Sequence, residues 1–178
     1  PIPVDNIYSL GLFREYFNNE IFGDMSMEER NNKFVIVSPD EGGIKRTLKI
    51  AGVLGLTNYE FCHKQRTFDK PGVVGSMKLL NICNLQGKSA IICDDICDSG
   101  GTLMKCIELL VQNGVESVYC VITHGIFTKN ALQKIQENPY IKKFIVTNTL
   151  PQYEHMDECS KLEVLSVGNL LGDVITCL

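Results

Sequence analysis

Residues 89–113 read SAIICDDICDSGGTLMKCIELLVQN, and the organisation of the chain follows from how this stretch changes along its length. Its opening, Ala90, Ile91, Ile92 and Cys93, is apolar and β-prone, which predicts a short buried strand. It then turns polar through Asp94, Asp95, Asp98 and Ser99, and Gly100-Gly101-Thr102 follows. Beyond Thr102, Leu103, Cys106, Ile107, Leu110 and Val111 fall at helical spacing, with Gly114 as a C-terminal stop. Two carboxylates thus sit where a strand ends, and a Gly-Gly-Thr turn opens a helix. The first N–H groups of a helix have no intrahelical partner, and the helix dipole favours an anion there. The glycines let a phosphate approach the backbone closely, and the carboxylates suit sugar hydroxyls or a divalent cation. A sugar phosphate is the ligand this pattern fits. The plainer reading is that Asp98 or Ser99 caps a helix. Three acids in five residues weigh against it, because clustered carboxylates repel one another unless a cation or hydroxyl groups partner them.

The same organisation occurs earlier, in FVIVSPDEGGIKRTLKIAGVLG at residues 34–55. A strand over Phe34 to Ser38 delivers Asp40, Gly42 and Gly43 to the start of a helix whose inward face is read as Ile44, Leu48, Ala51 and Leu54. Residues 59–76, YEFCHKQRTFDKPGVVGS, predict a short strand and then an exposed, mobile basic loop holding Lys64, Arg66 and Lys70. Cations on such a loop suit the stabilisation of phosphate oxygens when a site closes. SVYCVIT, FIVTNTLP and LEVLSV give three further strands, with helices from about Lys129 to Asn138 and in GNLLGDVITCL. His124 and the Thr147–Thr149 run sit at strand ends, where a structural role is the simpler reading. A leading helix is expected from Leu10, Phe13, Phe17 and Ile21; Asp24 to Asn32 reads as a polar stretch and Pro151 to Lys161 as a loop.

Strands alternate with helices, and the polar loops follow the strands. The expected architecture is therefore one α/β domain over residues 1–178: a doubly wound, mostly parallel sheet with helices on both faces and the ligand at the carboxyl ends of the strands. The 44% hydrophobic content supports a real core, and a net charge of -4 with a pI near 5.4 argues against a nucleic-acid surface. No apolar run reaches the roughly 20 residues of a membrane span. The eight cysteines lie mostly in apolar strand or helix stripes, which reads as reduced thiols in a cytoplasmic protein rather than a disulfide scaffold. The chain begins at Pro1, not Met, and is read as a processed or partial chain.

DDICDSGGT resembles the phosphoribosyl-diphosphate (PRPP) signature of type I phosphoribosyltransferases and PRPP synthetases. SPDEGG, HKQR, THGIFT and VTNTLP follow in the order of the PRPP synthetase family, and PVDNIYS resembles the junction where its second domain begins. The resemblance runs from about Pro3 to the C-terminus and is to the C-terminal half of a ribose-phosphate diphosphokinase. It implies a phosphoribosyltransferase-like fold and pyrophosphate transfer from ATP to ribose 5-phosphate, giving PRPP and AMP for nucleotide biosynthesis. Lys64 and Arg66 take the catalytic positions. By the same resemblance, Asp94, Asp95, Asp98, Ser99, Gly100, Gly101 and Thr102 would bind ribose 5-phosphate, and Asp40, Gly42 and Gly43 would form the pyrophosphate loop for ATP. Asp40 would help to hold the Mg²⁺ cofactor. A homo-oligomer through the full-length protein is also implied, with no nucleic-acid or membrane partner. Two alternatives stand beside it: a phosphoribosyltransferase that uses PRPP and a base, and a non-catalytic regulatory subunit.

Overall fold

The computed structural model describes residue 4 and residues 6–66, 74–81 and 83–177; of residues 65, 66 and 74–76 it describes the backbone alone. Helix α1 (Leu10–Tyr16) runs into a π-helical segment (Phe17–Phe22), and α2 (Met27–Lys33) follows. Strand β1 (Phe34–Ser38) leads to α3 (Ile44–Leu54), and β2 (Tyr59–Arg66) forms an antiparallel pair with β3 (Val74–Leu79). Then come β4 (Ser89–Cys97), α4 (Gly101–Gln112), β5 (Ser117–Gly125), α5 (Ala131–Glu137) and β6 (Ile141–Thr147). The order closes with α6 (Tyr153–Glu158), β7 (Leu162–Leu165) and α7 (Gly168–Thr176).

The seven strands form one sheet in the order β3-β2-β1-β4-β5-β6-β7, parallel throughout except for β3. All five residues of β1 and the first five of β4 are buried, as expected of central parallel strands covered on both faces. Alternate side chains feed two cores. Val35, Val37, Ala90 and Ile92 pack with α4 and α5 residues such as Leu110 and Ile135. Phe34, Ile36, Ile91 and Cys93 pack on the other face with Phe13, Phe17, Ile50 and Leu54. The doubly wound α/β expectation is thus met. Seven of the eight cysteines are free and wholly or partly buried, and Cys177 is free and exposed.

Several expectations change. Strand β4 continues through Asp94 and Asp95 to Cys97, so the paired acids belong to the strand and not to the loop beyond it. Lys64 and Arg66 stand on β2 rather than on a loop, because β3 supplies the hydrogen bonds that β1 no longer can; Lys70 lies outside the described residues. The buried face of α3 is Thr47, Ile50, Ala51 and Leu54; Leu48 is 42% exposed and Ile44 half-buried, a rotation of the expected face. The stretch after Asp24 contains α2, closed by a capping box in which the Ser26 hydroxyl accepts from Glu29 N–H and the Glu29 carboxylate accepts from Ser26 N–H. The loop before Lys161 contains α6. Helix α5 begins at Ala131 because Lys129 and Asn130 adopt positive φ angles of 51° and 61°.

Candidate functional site

Strand order reverses between β1 and β4: β1 leads outward to β2, β4 to β5. In an open parallel sheet that reversal leaves a crevice at the carboxyl ends of the two strands. The two glycine-bearing loops read from the sequence meet there.

The loop after β1 is closed by its own side chains. Ser38 Oγ donates to the Asp40 carbonyl at 2.7 Å, and Asp40 Oδ1 accepts from Gly43 N–H at 3.0 Å. A Cβ on Gly43 would lie 2.6 Å from Ser38 Oγ, so the close approach requires glycine. Gly42 lines the larger of two neighbouring cavities.

The loop after β4 places Gly100, with φ 69°, at the N-terminus of α4, and no side chain caps that helix. The plain capping reading of Asp98 and Ser99 therefore does not hold. Instead the Asp98 carboxylate accepts from the Thr128 hydroxyl at 2.5 Å, and the Asp98 carbonyl accepts from Thr128 N–H at 3.1 Å. Lys134 Nζ donates to the Ser99 carbonyl at 3.1 Å. The turn is thus pinned through Thr128 and Lys134, while Asp98, Ser99, Gly100, Gly101 and Thr102 line a cavity of about 170 Å³ together with Asp40 and Asp94. Lys64 Nζ donates to the Thr102 hydroxyl at 3.0 Å, bringing the basic strand to this turn. The side chain of Arg66 lies outside the description; its backbone pairs with Val74 in β3.

The cation that the clustered acids require is Arg46. From the first half of α3 its guanidinium donates to Asp94 Oδ1 at 2.9 Å and to Asp95 Oδ2 at 2.8 Å. Sequence reasoning missed it, although the acid cluster signalled that a cation must be near. Burial raises the Asp94 pKa from 3.8 to about 6, and the Asp40 and Asp95 charges add to the rise. The Asp95 N–H, which donates to Asp94 Oδ1 at 2.9 Å, opposes it, as an adjacent guanidinium does on general grounds. Asp94 lines both cavities, whereas Asp95, 55% exposed, lines only the larger one, about 500 Å³, which lies between the N-terminal segment and α3. The paired acids therefore share the larger cavity, and only Asp94 also lines the smaller one.

His124 and the Thr147–Thr149 run hold one another. His124 Nδ1 lies 2.8 Å from Thr149 Oγ1, and the Thr147 hydroxyl donates to the Thr123 carbonyl at 2.7 Å. His124 also lines the larger cavity, together with Asp94 and Asp95. Burial raises the thiol of Cys97 to about 12 and that of Cys120 well above its ordinary value, and the Cys62 contact, with burial, does the same for Cys106, which suits inert core residues.

Residues 61–178 match a family model described as the phosphoribosyl synthetase-associated domain. Over 174 residues the chain is 33% identical to ribose-phosphate pyrophosphokinase A of Dictyostelium discoideum and 36% identical to ribose-phosphate pyrophosphokinase 2 of Schizosaccharomyces pombe. Each match takes in 98% of this chain and 50% of the relative, so the chain spans about half the length of the curated relatives it matches. The crystal structure of phosphoribosylpyrophosphate synthetase from Mycobacterium smegmatis superposes with a TM-score of 0.78 at 32% identity, over 98% of this chain and 51% of that one. The chain belongs to the phosphoribosyl synthetase-associated domain family, that of the ribose-phosphate pyrophosphokinases.

Proposed function

We propose that the chain is the C-terminal, ribose 5-phosphate-binding half of a two-domain enzyme that transfers pyrophosphate from ATP to ribose 5-phosphate, yielding PRPP and AMP. The observation that carries this reading is the bond from Lys64 Nζ to the hydroxyl of Thr102, a residue that lines one cavity with Asp40 and Asp94. It joins a cation, an anion-accepting helix terminus and sugar-binding carboxylates at one place.

The phosphate of ribose 5-phosphate takes the Asp98–Thr102 turn, where the leading N–H groups of α4 and the Thr102 hydroxyl donate to its oxygens. Asp94 accepts from the ring hydroxyls, and Arg46 keeps that carboxylate ionised against its burial. Asp95 extends the acceptor surface toward the larger cavity. The ribose 1-hydroxyl then attacks the β-phosphorus of ATP, the bond from that phosphorus to the α-phosphate oxygen breaks, and AMP leaves. Such a reaction asks the protein for positioning and charge rather than covalent chemistry. Lys64 and Arg66 supply the positive charge, and the Asp40-Glu41-Gly42-Gly43 loop receives the pyrophosphoryl group.

The residues also fit magnesium. Asp40 commits Oδ1 to Gly43 and offers Oδ2, and its charge contributes to the raised pKa of Asp94, a repulsion that a divalent cation relieves. Among the described residues no group of three or more His, Cys, Asp and Glu is placed to hold a metal by itself. Substrate phosphates would supply the remaining ligands, the usual manner for Mg²⁺. When bound, the ion neutralises phosphate charge.

Calorimetric titration of this chain with ribose 5-phosphate tests the half that it carries, and AMP release from ATP and ribose 5-phosphate tests the two-domain protein. Saturable binding here, and turnover only with both halves present, is expected. Robust AMP release from the 178 residues alone would overturn the division of labour. Nucleotide formation from PRPP and a purine base would instead assign a phosphoribosyltransferase.

A further inference from the structure

Strand β2 outruns β1. Their parallel pairing stops at Ser38 and Phe61, and from Cys62 onward β2 pairs with β3. A two-stranded extension is weakly held unless something else secures it. Side chains alternate across it. Cys62 and Lys64 face α4, where Cys62 Sγ lies 3.4 Å from Cys106 Sγ and Lys64 reaches Thr102. His63 takes the opposite face, and its Nδ1–H donates to Glu41 Oε1 at 2.6 Å. Glu41 belongs to the loop of Asp40 and Gly42-Gly43. The overhang is therefore tied on one face to the loop after β1 and on the other to the turn after β4.

The geometry points to Glu41 and His63 as positioning residues: their pair clasps the β2 overhang to the Asp40 loop and so sets where Lys64 sits over a phosphate on the Asp98–Thr102 turn. This rests on the reading of that turn as the sugar-phosphate site. Both side chains are partly or largely exposed, 34% for His63 and 58% for Glu41, and an exposed pair contributes little to global stability. Its effect is local, on the alignment of a neighbour one residue along the strand. Lys64 touches the phosphate; Glu41 and His63 act through Lys64.

The test has two readouts on this chain. In calorimetry with ribose 5-phosphate, His63→Ala and Glu41→Ala are each expected to weaken binding about three- to tenfold, as is Lys64→Ala, in the range of one lost charge-assisted contact. Glu41→Gln, which keeps an acceptor oxygen, should retain part of the affinity. In the Lys64→Ala background neither alanine should weaken binding further, since the residue they align is gone. Amide hydrogen exchange at Cys62–Lys64 should quicken about tenfold in His63→Ala, while exchange in β1 and the first half of β4 stays as in the parent. Unchanged exchange at Cys62–Lys64 overturns the clasp, as does a His63→Ala effect of equal size with and without Lys64. A parent chain that fails to bind ribose 5-phosphate defeats the site reading instead, and the exchange measurement still decides the clasp.

Discussion

Asp94 carries a cost that its neighbours manage. Below about 3.8 it holds a proton in both folded and unfolded chains; between 3.8 and about 6 the folded chain keeps the proton and the unfolded chain releases it. Folding is then linked to proton binding, and stability falls as pH rises through that window, levelling off above about 6. Asp94→Asn should abolish this fall and leave the chain more stable than the parent at pH 7, read from urea denaturation across pH 4–7. Gly101 supplies the complementary case. A Cβ there would meet only Ser99 Oγ, at 3.8 Å, so the fold has room for a side chain at this position. Gly101→Val should leave the melting temperature within a few degrees and, if the proposed sugar-phosphate site is right, weaken ribose 5-phosphate binding at least tenfold in calorimetry, since the valine would stand where the phosphate approaches the backbone. At this scale the acids, the glycines and Thr102 were legible because they are clustered in sequence. Arg46, Thr128 and Lys134 were not, because they reach the site only through pairing across 30 or more residues, which no local pattern encodes.

Elements were legible where apolar residues run continuously or at a regular period, as in β1, β4, α4 and β5, and obscure where they do not. Helix α2 has no buried residue, so no apolar period marks it, yet its Ser26-x-x-Glu29 box was a visible start signal. Ser26→Ala should cost about 1 kcal/mol in thermal or chemical denaturation, the usual worth of a helix N-cap. Strand β2 was read as loop beyond its opening because Lys64, Gln65 and Arg66 lack the composition of a buried strand; there the hydrogen bonding of β3, not burial, keeps the backbone extended. That distinction bears on Arg66. Held on a strand one residue beyond Gln65, its backbone stays close to Lys64, and in the proposed two-domain enzyme Arg66→Ala should lower kcat by on the order of 10³, as for loss of an arginine that stabilises a transferring phosphate. Ribose 5-phosphate affinity should change far less. A kcat within about threefold of the parent, too small for a lost transition-state contact, would remove Arg66 from the chemistry.

Across the molecule, sheet order and site location are one fact. Because β1 and β4 lie side by side at the reversal, the loops after them meet although more than 50 residues separate Asp40 from Asp94. The buried Glu60 carboxylate on β2 accepts from the N–H groups of Phe61 and Asn81 at 2.9 and 2.6 Å and so joins β2 to the segment that follows β3. One consequence concerns length. Strand β1 has five residues, while β2 has eight and β4 nine, so the rim of the sheet drops between two taller neighbours. Its flanks stand two strand spacings apart, about 10 Å. That interval is fixed by backbone hydrogen bonding and does not vary with the side chains around it. Lys64, whose contact crosses from the β2 flank to the helix that follows β4, is therefore measured against a ruler made of main chain. A shorter cation at that position would carry the same charge and fall short of Thr102.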